Sequence, residues 1–414
     1  MPSPSLSGSI TLLAALVTLT GCQIKRGETD YVETRAAIPS DTEESVFTIR
    51  RAESPGNEDL FTTGAALNVP RATASLNDTA RLLAGLNALP GNNGFQDVRS
   101  GASWRSHQSD MDRIWAAYET RHEGPIRAWA NREISDLQRT GSLLYPFSGP
   151  DFLFANAFFP RAETIVLCGL ESAEPLPRLN DLSNAEIENG LDGLCNALTT
   201  VMQFSFFITK DMRSDLQSTR FRGVLPVLLV FLARSGHAVE SVDSIRLDSS
   251  GNAVMALAGN GATGVVIRAR SSQGISKRIF FLKQDLSDSS IQPGVPFLNF
   301  VSQLGQPPAF TKSASYLMHE DSFSGIRDYL LTQCRAIVQD PSGVPYRSLV
   351  NPSLDLRLYG NYQGTIDIFS NANQPDLINA YSQGKHGAQP INFGVGYLYT
   401  PSNTCLMVAR RTRW

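Results

Sequence analysis

Residues 143–168 read LLYPFSGPDFLFANAFFPRAETIVLC, and this stretch decides the fold of the chain. Two apolar runs, 143–147 and 164–167, have the length and the aromatic or β-branched content of buried strands. Between them a polar turn over 148–151 precedes the apolar segment 152–159, which suits a short helix. The stretch therefore predicts strand, turn, helix and strand in direct succession.

The segments around this stretch predict helices on both sides of it. An Asn-Asp pair can cap a helix that ends near residue 86, and two further apolar segments, 184–204 and 222–234, are long enough for helices. One more helix is indicated by four side chains spaced at i, i+3, i+4 and i+7, which share one helical face. These are Met111, Ile114, Trp115 and Tyr118.

Beyond residue 237 the pattern changes to strands separated by short turns. Strands are expected over 242–247, 253–258, 265–269, 279–282, 354–359, 395–399 and 406–410. Helices are expected over 297–303 and 323–334. We predict an α+β fold with a mixed, largely antiparallel sheet and helices packed on it. It forms a single domain over 76–414, helix-rich in 76–236 and strand-rich in 237–414.

Composition narrows the class of protein. The chain has 414 residues, 42% of them hydrophobic, and a formal net charge of −3. This is the composition of a globular protein with a real core, and it predicts no nucleic-acid partner. No cofactor or metal is expected either, because no ligand-binding spacing of His, Cys and acidic residues occurs.

The N-terminus carries a targeting signal. The apolar run 10–19 is too short to span a bilayer but fits the apolar region of a signal peptide. It ends in Leu19-Thr20-Gly21-Cys22, which resembles the lipobox of bacterial lipoprotein precursors, although the first basic residue comes only at Lys25. The alternative is an ordinary signal peptide in which this cysteine is incidental.

The lipobox resemblance implies where the protein lives. Residues 1–21 would be the signal peptide, and Cys22 would carry the lipid that anchors the protein to a membrane. Gln23, following the cysteine, implies sorting to the outer membrane, with the body facing the periplasm. Residues 22–75 are polar and charge-mixed and are expected to form a tether, or otherwise an N-terminal arm packed on the domain.

Four cysteines remain once Cys22 is set aside. They are Cys168, Cys195, Cys334 and Cys405. An even number in an exported protein predicts two disulfides, with three possible connectivities. We favour Cys168–Cys195 and Cys334–Cys405, since each pair lies in one half of the chain; buried free thiols are the alternative.

Ser148 and Asp151 are the first candidate site residues. They lie where a strand ends and a helix begins, and helix N-termini offer free N–H groups and a positive dipole end. Ser148 could bind a ligand there or, with a base, act as a nucleophile. The alternative is that these residues only cap the helix.

His319 is the second candidate, because it is followed directly by Glu320 and Asp321. A histidine beside acids could act as a general base for Ser148, with Asp151 as the acid. Here too the alternative is a helix cap, supplied by Asp321 or its neighbour.

Short motifs elsewhere carry little weight. The sequence GNGATG at 259–264 matches a dinucleotide-binding pattern but precedes an apolar strand, so we interpret it as a hairpin turn. Ser382 and Lys385 match Ser-x-x-Lys without supporting motifs. No nucleophile elbow or zinc-protease motif occurs.

The block 144–170 also resembles a segment of uncharacterised proteobacterial envelope proteins, which brings no activity with it. We therefore expect an accessory or ligand-binding lipoprotein of the cell envelope, acting on another envelope protein or a small ligand. The alternative is an envelope hydrolase or transferase that uses Ser148, Asp151 and His319.

Overall fold

The fold is that of a computed structural model, which describes residues 72–92, 94–204, 216, 219–257, 261–397, 400 and 403–412. All of them belong to one compact unit of the chain. Cys22, the signal peptide and the tether as far as residue 71 lie outside the described residues.

Eleven α-helices are described. They are α1 Ala72–Leu83, α2 Gln96–Ser100, α3 Ala102–Tyr118, α4 Gly124–Glu133, α5 Phe152–Phe158, α6 Asn184–Phe204, α7 Leu225–Arg234, α8 Pro296–Ser302, α9 Ser324–Gln333, α10 Tyr346–Leu349 and α11 Pro375–Ser382. Seven of the eleven precede residue 236, as predicted for the helix-rich half.

Ten strands form one sheet. They are β1 Ser142–Tyr145, β2 Thr164–Gly169, β3 His237–Leu247, β4 Ala253–Met255, β5 Gly264–Ser271, β6 Ser276–Lys283, β7 Pro308–Thr311, β8 Ala336–Gln339, β9 Leu354–Asn361 and β10 Thr404–Arg411. Their order across the sheet is β4-β3-β5-β6-β2-β1-β7-β8-β10-β9.

The predicted α+β class with a mixed sheet is confirmed, and five of the nine neighbouring strand pairs are antiparallel. The antiparallel pairs lie on the two flanks. The centre, β6-β2-β1-β7-β8, is parallel, which the sequence did not indicate. Parallel strands need both faces covered, and most residues of these strands are buried.

Helices cover both faces of the sheet. Because side chains alternate along a strand, Ile165 and Leu167 of β2 enter one core, and Val166 enters the other. Helices α1 to α7 pack into the first core, and helices α8 to α11 pack into the second. The long apolar helix α7 is buried all round, as its sequence predicts.

The predicted apolar face of α3 is confirmed. Met111, Ile114, Trp115 and Tyr118 are all buried. A π-helical turn, Glu119–Glu123, joins α3 to α4, and Pro125 lies at the start of α4. The helix is therefore nearly continuous from α3 to α4 and is widened locally at this turn rather than broken.

The sequence pattern does not indicate two of the strands, and one strand that it does indicate is absent from the described residues. Strands β7 and β8 have only four residues each, too few for a periodic pattern. Residues 395–397 form no strand, contrary to the expectation for 395–399. Gly264 begins β5 rather than the helix that a dinucleotide site needs. The hairpin interpretation of the glycine-rich segment is wrong, however, because the two strands on either side of it, β4 and β5, are not neighbours and both pair with β3.

The four body cysteines are free thiols in the structure, unlike the predicted disulfides. Cys168 belongs to the second core, whereas the helix that carries Cys195, α6, packs into the first core on the other side of the sheet. Cys334 and Cys405 share a core, but the β8–β10 register places them about seven residues apart along the strands, or roughly 20 Å. A disulfide needs Cα atoms within about 7 Å, so this fold does not accommodate either favoured pair.

Candidate functional site

A cavity of about 240 Å³ lies at the carboxyl edge of the parallel strands. The segments that follow β1, β2, β6 and β7 line it, and Tyr397 closes one side. Its lining residues are Tyr145, Phe147, Ser148, Gly149, Asp151, Cys168, Gly169, Leu170, Glu171, Gln284, Asp285, Leu286, Lys312, Ser313, Ala314, Ser315, Leu317, Phe323 and Tyr397.

The topology of the sheet explains why a cavity forms at this place. After β1 the chain crosses the first face through α5 and enters β2 on one side. After β7, the other neighbour of β1, it crosses the opposite face through α9 and enters β8. The two connections leave adjacent strands in opposite directions and open a crevice between them. Ligands of open α/β sheets bind in such crevices.

A buried ion pair lies at the base of the cavity. Asp151 accepts a hydrogen bond from the Tyr145 hydroxyl at 2.9 Å and pairs with the Lys312 ammonium at 3.1 Å. Its other oxygen accepts the backbone N–H of Phe154 at 3.1 Å, so Asp151 is the N-cap of α5. The same lysine lies 4.2 Å from the centroid of the Phe154 ring. One carboxylate thus joins β1, β7 and the start of α5.

Ser148 has a structural set of contacts. Its Oγ accepts the backbone N–H of Cys168 at 2.9 Å and lies 3.2 Å from the Cys168 carbonyl and 2.9 Å from the Gly149 carbonyl. These contacts join the end of β1 to the end of β2. The Ser148 hydroxyl therefore both donates to and accepts from backbone groups. The helix cap expected at Ser148 is supplied by Asp151 instead.

Strained backbone is concentrated around the cavity. Of the seven non-glycine residues with positive φ among the described residues, three line the cavity: Phe147 at 57°, Ser313 at 54° and Ser315 at 51°. Each costs on the order of 1 to 3 kcal/mol and persists only where surrounding contacts hold it. Strain of this kind clusters at functional sites, which favours this cavity as the site.

Two side chains, the buried Asp340 and the half-buried Tyr397, hold the strained segment that follows β7. Asp340 accepts the Ser313 N–H at 3.0 Å, and burial raises the pKa of this carboxyl. The Tyr397 hydroxyl accepts the Ser315 N–H at 2.9 Å and donates to the Ser313 carbonyl at 2.7 Å. The segment is therefore preorganised rather than loose.

The wall of the cavity is acidic on one side and aromatic on another. Glu171 follows β2, and Asp285 follows the neighbouring strand β6. Hydrogen bonds from Ser287 lower the pKa of Asp285 and keep it charged. Phe147 and Phe323 face each other across 6.0 Å between ring centroids. Because Lys312 neutralises Asp151, the lining has an excess of negative charge.

His319 does not join the other two candidate residues. Ser148 and Asp151 line the cavity, but His319 lies outside its lining and packs against the ring of Tyr316 at 5.2 Å. Its charged neighbours are Arg347 and Arg327 rather than acids. The arrangement of a nucleophile, base and acid proposed from the sequence is therefore not assembled around this histidine.

Three histidines are held uncharged. They share a pKa lowered to about 4, mainly because burial disfavours the imidazolium. They are His122, His237 and His319. Nearby positive charges add to the effect: Lys312 lies near the first and Lys277 near the second.

Lys312 and Tyr397 are among the site residues that the sequence did not reveal, and so are the wall residues Glu171 and Asp285. Lys312 follows the four-residue strand β7, whose only signal is the short run Pro308-Ala309-Phe310-Thr311. Tyr397 reaches the cavity from a segment more than 80 residues further along the chain. Only the fold brings them to Asp151.

Within the described residues no group of three or more His, Cys, Asp or Glu side chains is placed to hold a metal ion. No described helix is long and apolar enough to cross a membrane. Comparison of the chain with family models, curated proteins and solved structures gave no match.

Proposed function

We propose that this is a ligand-binding protein whose site is the cavity at the carboxyl ends of β1, β2, β6 and β7. The observation that carries the proposal is the coincidence of this cavity with the point where the connections diverge and where the backbone is strained. Crevices at this point are the usual binding sites of such sheets.

The lining indicates the class of ligand. A volume of about 240 Å³ suits a small molecule. The negative charge of Glu171 and Asp285 favours an ammonium or several hydroxyl groups over a carboxylate or phosphate. The Phe147–Phe323 pair offers an apolar surface on which part of such a ligand can stack.

Binding is better supported than hydrolysis or group transfer. A serine nucleophile needs a base within hydrogen-bond reach, and the hydrogen bonds of Ser148 are made with backbone groups. Asp151 is fully engaged with a lysine, a tyrosine and a helix end. These contacts favour a rigid scaffold for the site over catalytic machinery.

A thermal-shift screen of small amines, polyols and organic acids tests the proposal. Ligands from the first two classes should raise the melting temperature, and removal of one wall charge by Glu171→Gln should weaken cationic ligands about tenfold. Glu174→Gln, an exposed acid outside the lining, is the matched control. Equal losses in both variants, or a screen in which only acids bind, would reject this assignment.

We also propose that the protein is a lipid-anchored envelope protein with the body on the periplasmic side of the outer membrane. The support is the sequence Leu19-Thr20-Gly21-Cys22 behind a short apolar run. A diacylglyceryl cysteine buries enough methylenes for stable anchoring, at about 0.8 kcal/mol each. Cys22→Ser should therefore move the protein from the membrane fraction to the soluble periplasmic fraction. Unchanged fractionation would contradict the anchor and leave the ligand site unaffected.

A further inference from the structure

A second cavity, of about 270 Å³, lies at the opposite edge of the sheet. It is bordered by the segment that leads into β2, by the start of β3 and by the end of β5, all at the amino ends of the parallel strands. It shares no lining residue with the cavity of the proposed function. The side chains of its lining that bear on binding are Arg127, Asn156, Arg161, His237, Ser271 and Ser272.

The charge of this cavity is opposite to that of the first. Two arginines line it, Arg127 and Arg161, and no acid does. Arg127 forms an ion pair with Glu123, whereas Arg161 is exposed and makes no ion pair within the described residues. A third cation, Lys277, is buried beneath and donates to the Pro160 carbonyl at 2.9 Å. The positive charge of Lys277 contributes to the lowered pKa of the buried His237.

Two polar side chains of the lining, Asn156 and His237, have little exposed surface. Asn156 is 2% exposed, and no hydrogen bond joins its amide to a described residue, but its polar atoms are not among the fully buried ones that lack partners, so the amide is open to the cavity. His237 is 5% exposed; the carbonyls of Leu232 and Ser235 lie near its ring, but neither ring nitrogen makes a hydrogen bond of regular geometry to the described residues. An amide that is open to a cavity and is not used by the protein can donate its N–H groups to a ligand. The Asn156 amide therefore offers a neutral hydrogen-bond donor in a basic cavity.

We propose that this cavity is a binding site for a small oxyanion, either free phosphate or the phosphate of a small monoester. Arg161 supplies the charge that is not committed elsewhere, and the Asn156 amide and the hydroxyls of Ser271 and Ser272 supply neutral donors. The site is independent of the proposed function, since the two cavities lie at opposite edges of the sheet.

Isothermal titration with inorganic phosphate, and in a second arm with glycerol 3-phosphate, tests this proposal at constant ionic strength. We expect one site per chain, and Arg161→Ala should weaken binding at least about fivefold by removing a charge-assisted hydrogen bond. Asn156→Asp keeps the size of the side chain but adds a negative charge, so it should abolish binding. Arg113→Ala, at an exposed arginine outside the cavity, should bind like the wild type.

The two arms separate the sources of the oxyanion. Tighter binding of glycerol 3-phosphate would identify a monoester ligand, and equal or weaker binding would identify free phosphate. No heat from either compound up to about 20 mM would overturn the proposal, because a specific site of this kind should bind at lower concentrations. Equal affinities in wild type and Arg161→Ala, with unchanged melting temperatures, would overturn it as well.

Discussion

Removal of the Asp151 carboxylate should cost more stability than removal of any exposed acid. The side chain has three partners: the Lys312 ammonium at 3.1 Å, the Tyr145 hydroxyl at 2.9 Å and the Phe154 N–H at 3.1 Å. Loss of one member of a buried ion pair costs about 3 to 5 kcal/mol, since the other charge stays buried. Loss of the helix cap adds about 1 kcal/mol. We therefore expect Asp151→Ala to lose about 4 to 6 kcal/mol.

Further variants separate the two contributions. Asp151→Asn retains an oxygen that can cap the helix, so it should be about 1 kcal/mol less harmful than the alanine variant. Lys312→Met leaves the carboxylate unpaired and should cost about 3 to 5 kcal/mol. The double variant Asp151→Asn/Lys312→Met removes both charges. It should be at least about 2 kcal/mol more stable than the sum of the two single losses.

Urea unfolding followed by circular dichroism measures these free energies. The control is Asp110→Ala, which breaks an exposed ion pair of similar length, 2.9 Å, with 72% and 42% of its side chains exposed. It should change stability by less than about 1 kcal/mol. A loss of less than about 1 kcal/mol for Asp151→Ala, or additive effects in the double variant, would refute the ion pair as the base of the site.

Three other predictions concern pH, strain and thiols. The three histidines have pKa values near 4 in the folded protein and an ordinary pKa of 6.5 in the unfolded chain. Between these values the unfolded chain binds protons that the folded protein does not bind. The contribution of the histidines to stability is therefore complete above pH 6.5 and declines as the pH falls towards 4. At pH 5 each of these histidines should lower the free energy of unfolding by about 1 to 2 kcal/mol relative to pH 7. A free energy of unfolding that is the same at pH 7 and pH 5 would contradict their burial. Ser313 has a left-handed backbone and a buried hydroxyl without a partner, so Ser313→Gly should stabilise the fold by about 1 kcal/mol. The control, Ser322→Gly, lies at an ordinary φ and should destabilise the fold. Chemical denaturation compares the two variants, and equal losses of stability in both would argue against strain at Ser313. Thiol titration in denaturant without reductant should count all four body cysteines, and a count near zero would show that disulfides form despite this geometry.

The sequence predicted best where one segment contains its own signal. The β1–α5–β2 stretch was anticipated because both strands and the helix are apolar and are separated by a turn of Ser148, Gly149, Pro150 and Asp151. Of its two candidate site residues, Asp151 lies at the centre of the buried ion pair, whereas Ser148 joins the ends of two strands. The sequence could not distinguish these roles, because a cap, a ligand contact and a nucleophile use the same residue types.

The parts that escaped prediction depend on contacts between distant segments. Strands β7 and β8 complete the parallel centre with four residues each, and such short apolar runs have no measurable period. Lys312 is buried because Asp151 lies opposite, 161 positions earlier in the chain. The cysteines show the same limitation: an even count favours disulfides, but only the sheet shows that Cys168 and Cys195 lie on different faces.

The most direct test of the account is hydrogen–deuterium exchange with and without the tightest ligand from the screen. The account predicts slower exchange in the segments that surround the first cavity, namely 146–151, 169–171, 284–286 and 312–316. Exchange should be unchanged at the opposite edge, around 156–161 and 271–273. Protection confined to that opposite edge, or absent from all four cavity segments while the ligand is bound, would contradict the claim that the protein binds its ligand where the parallel strands end.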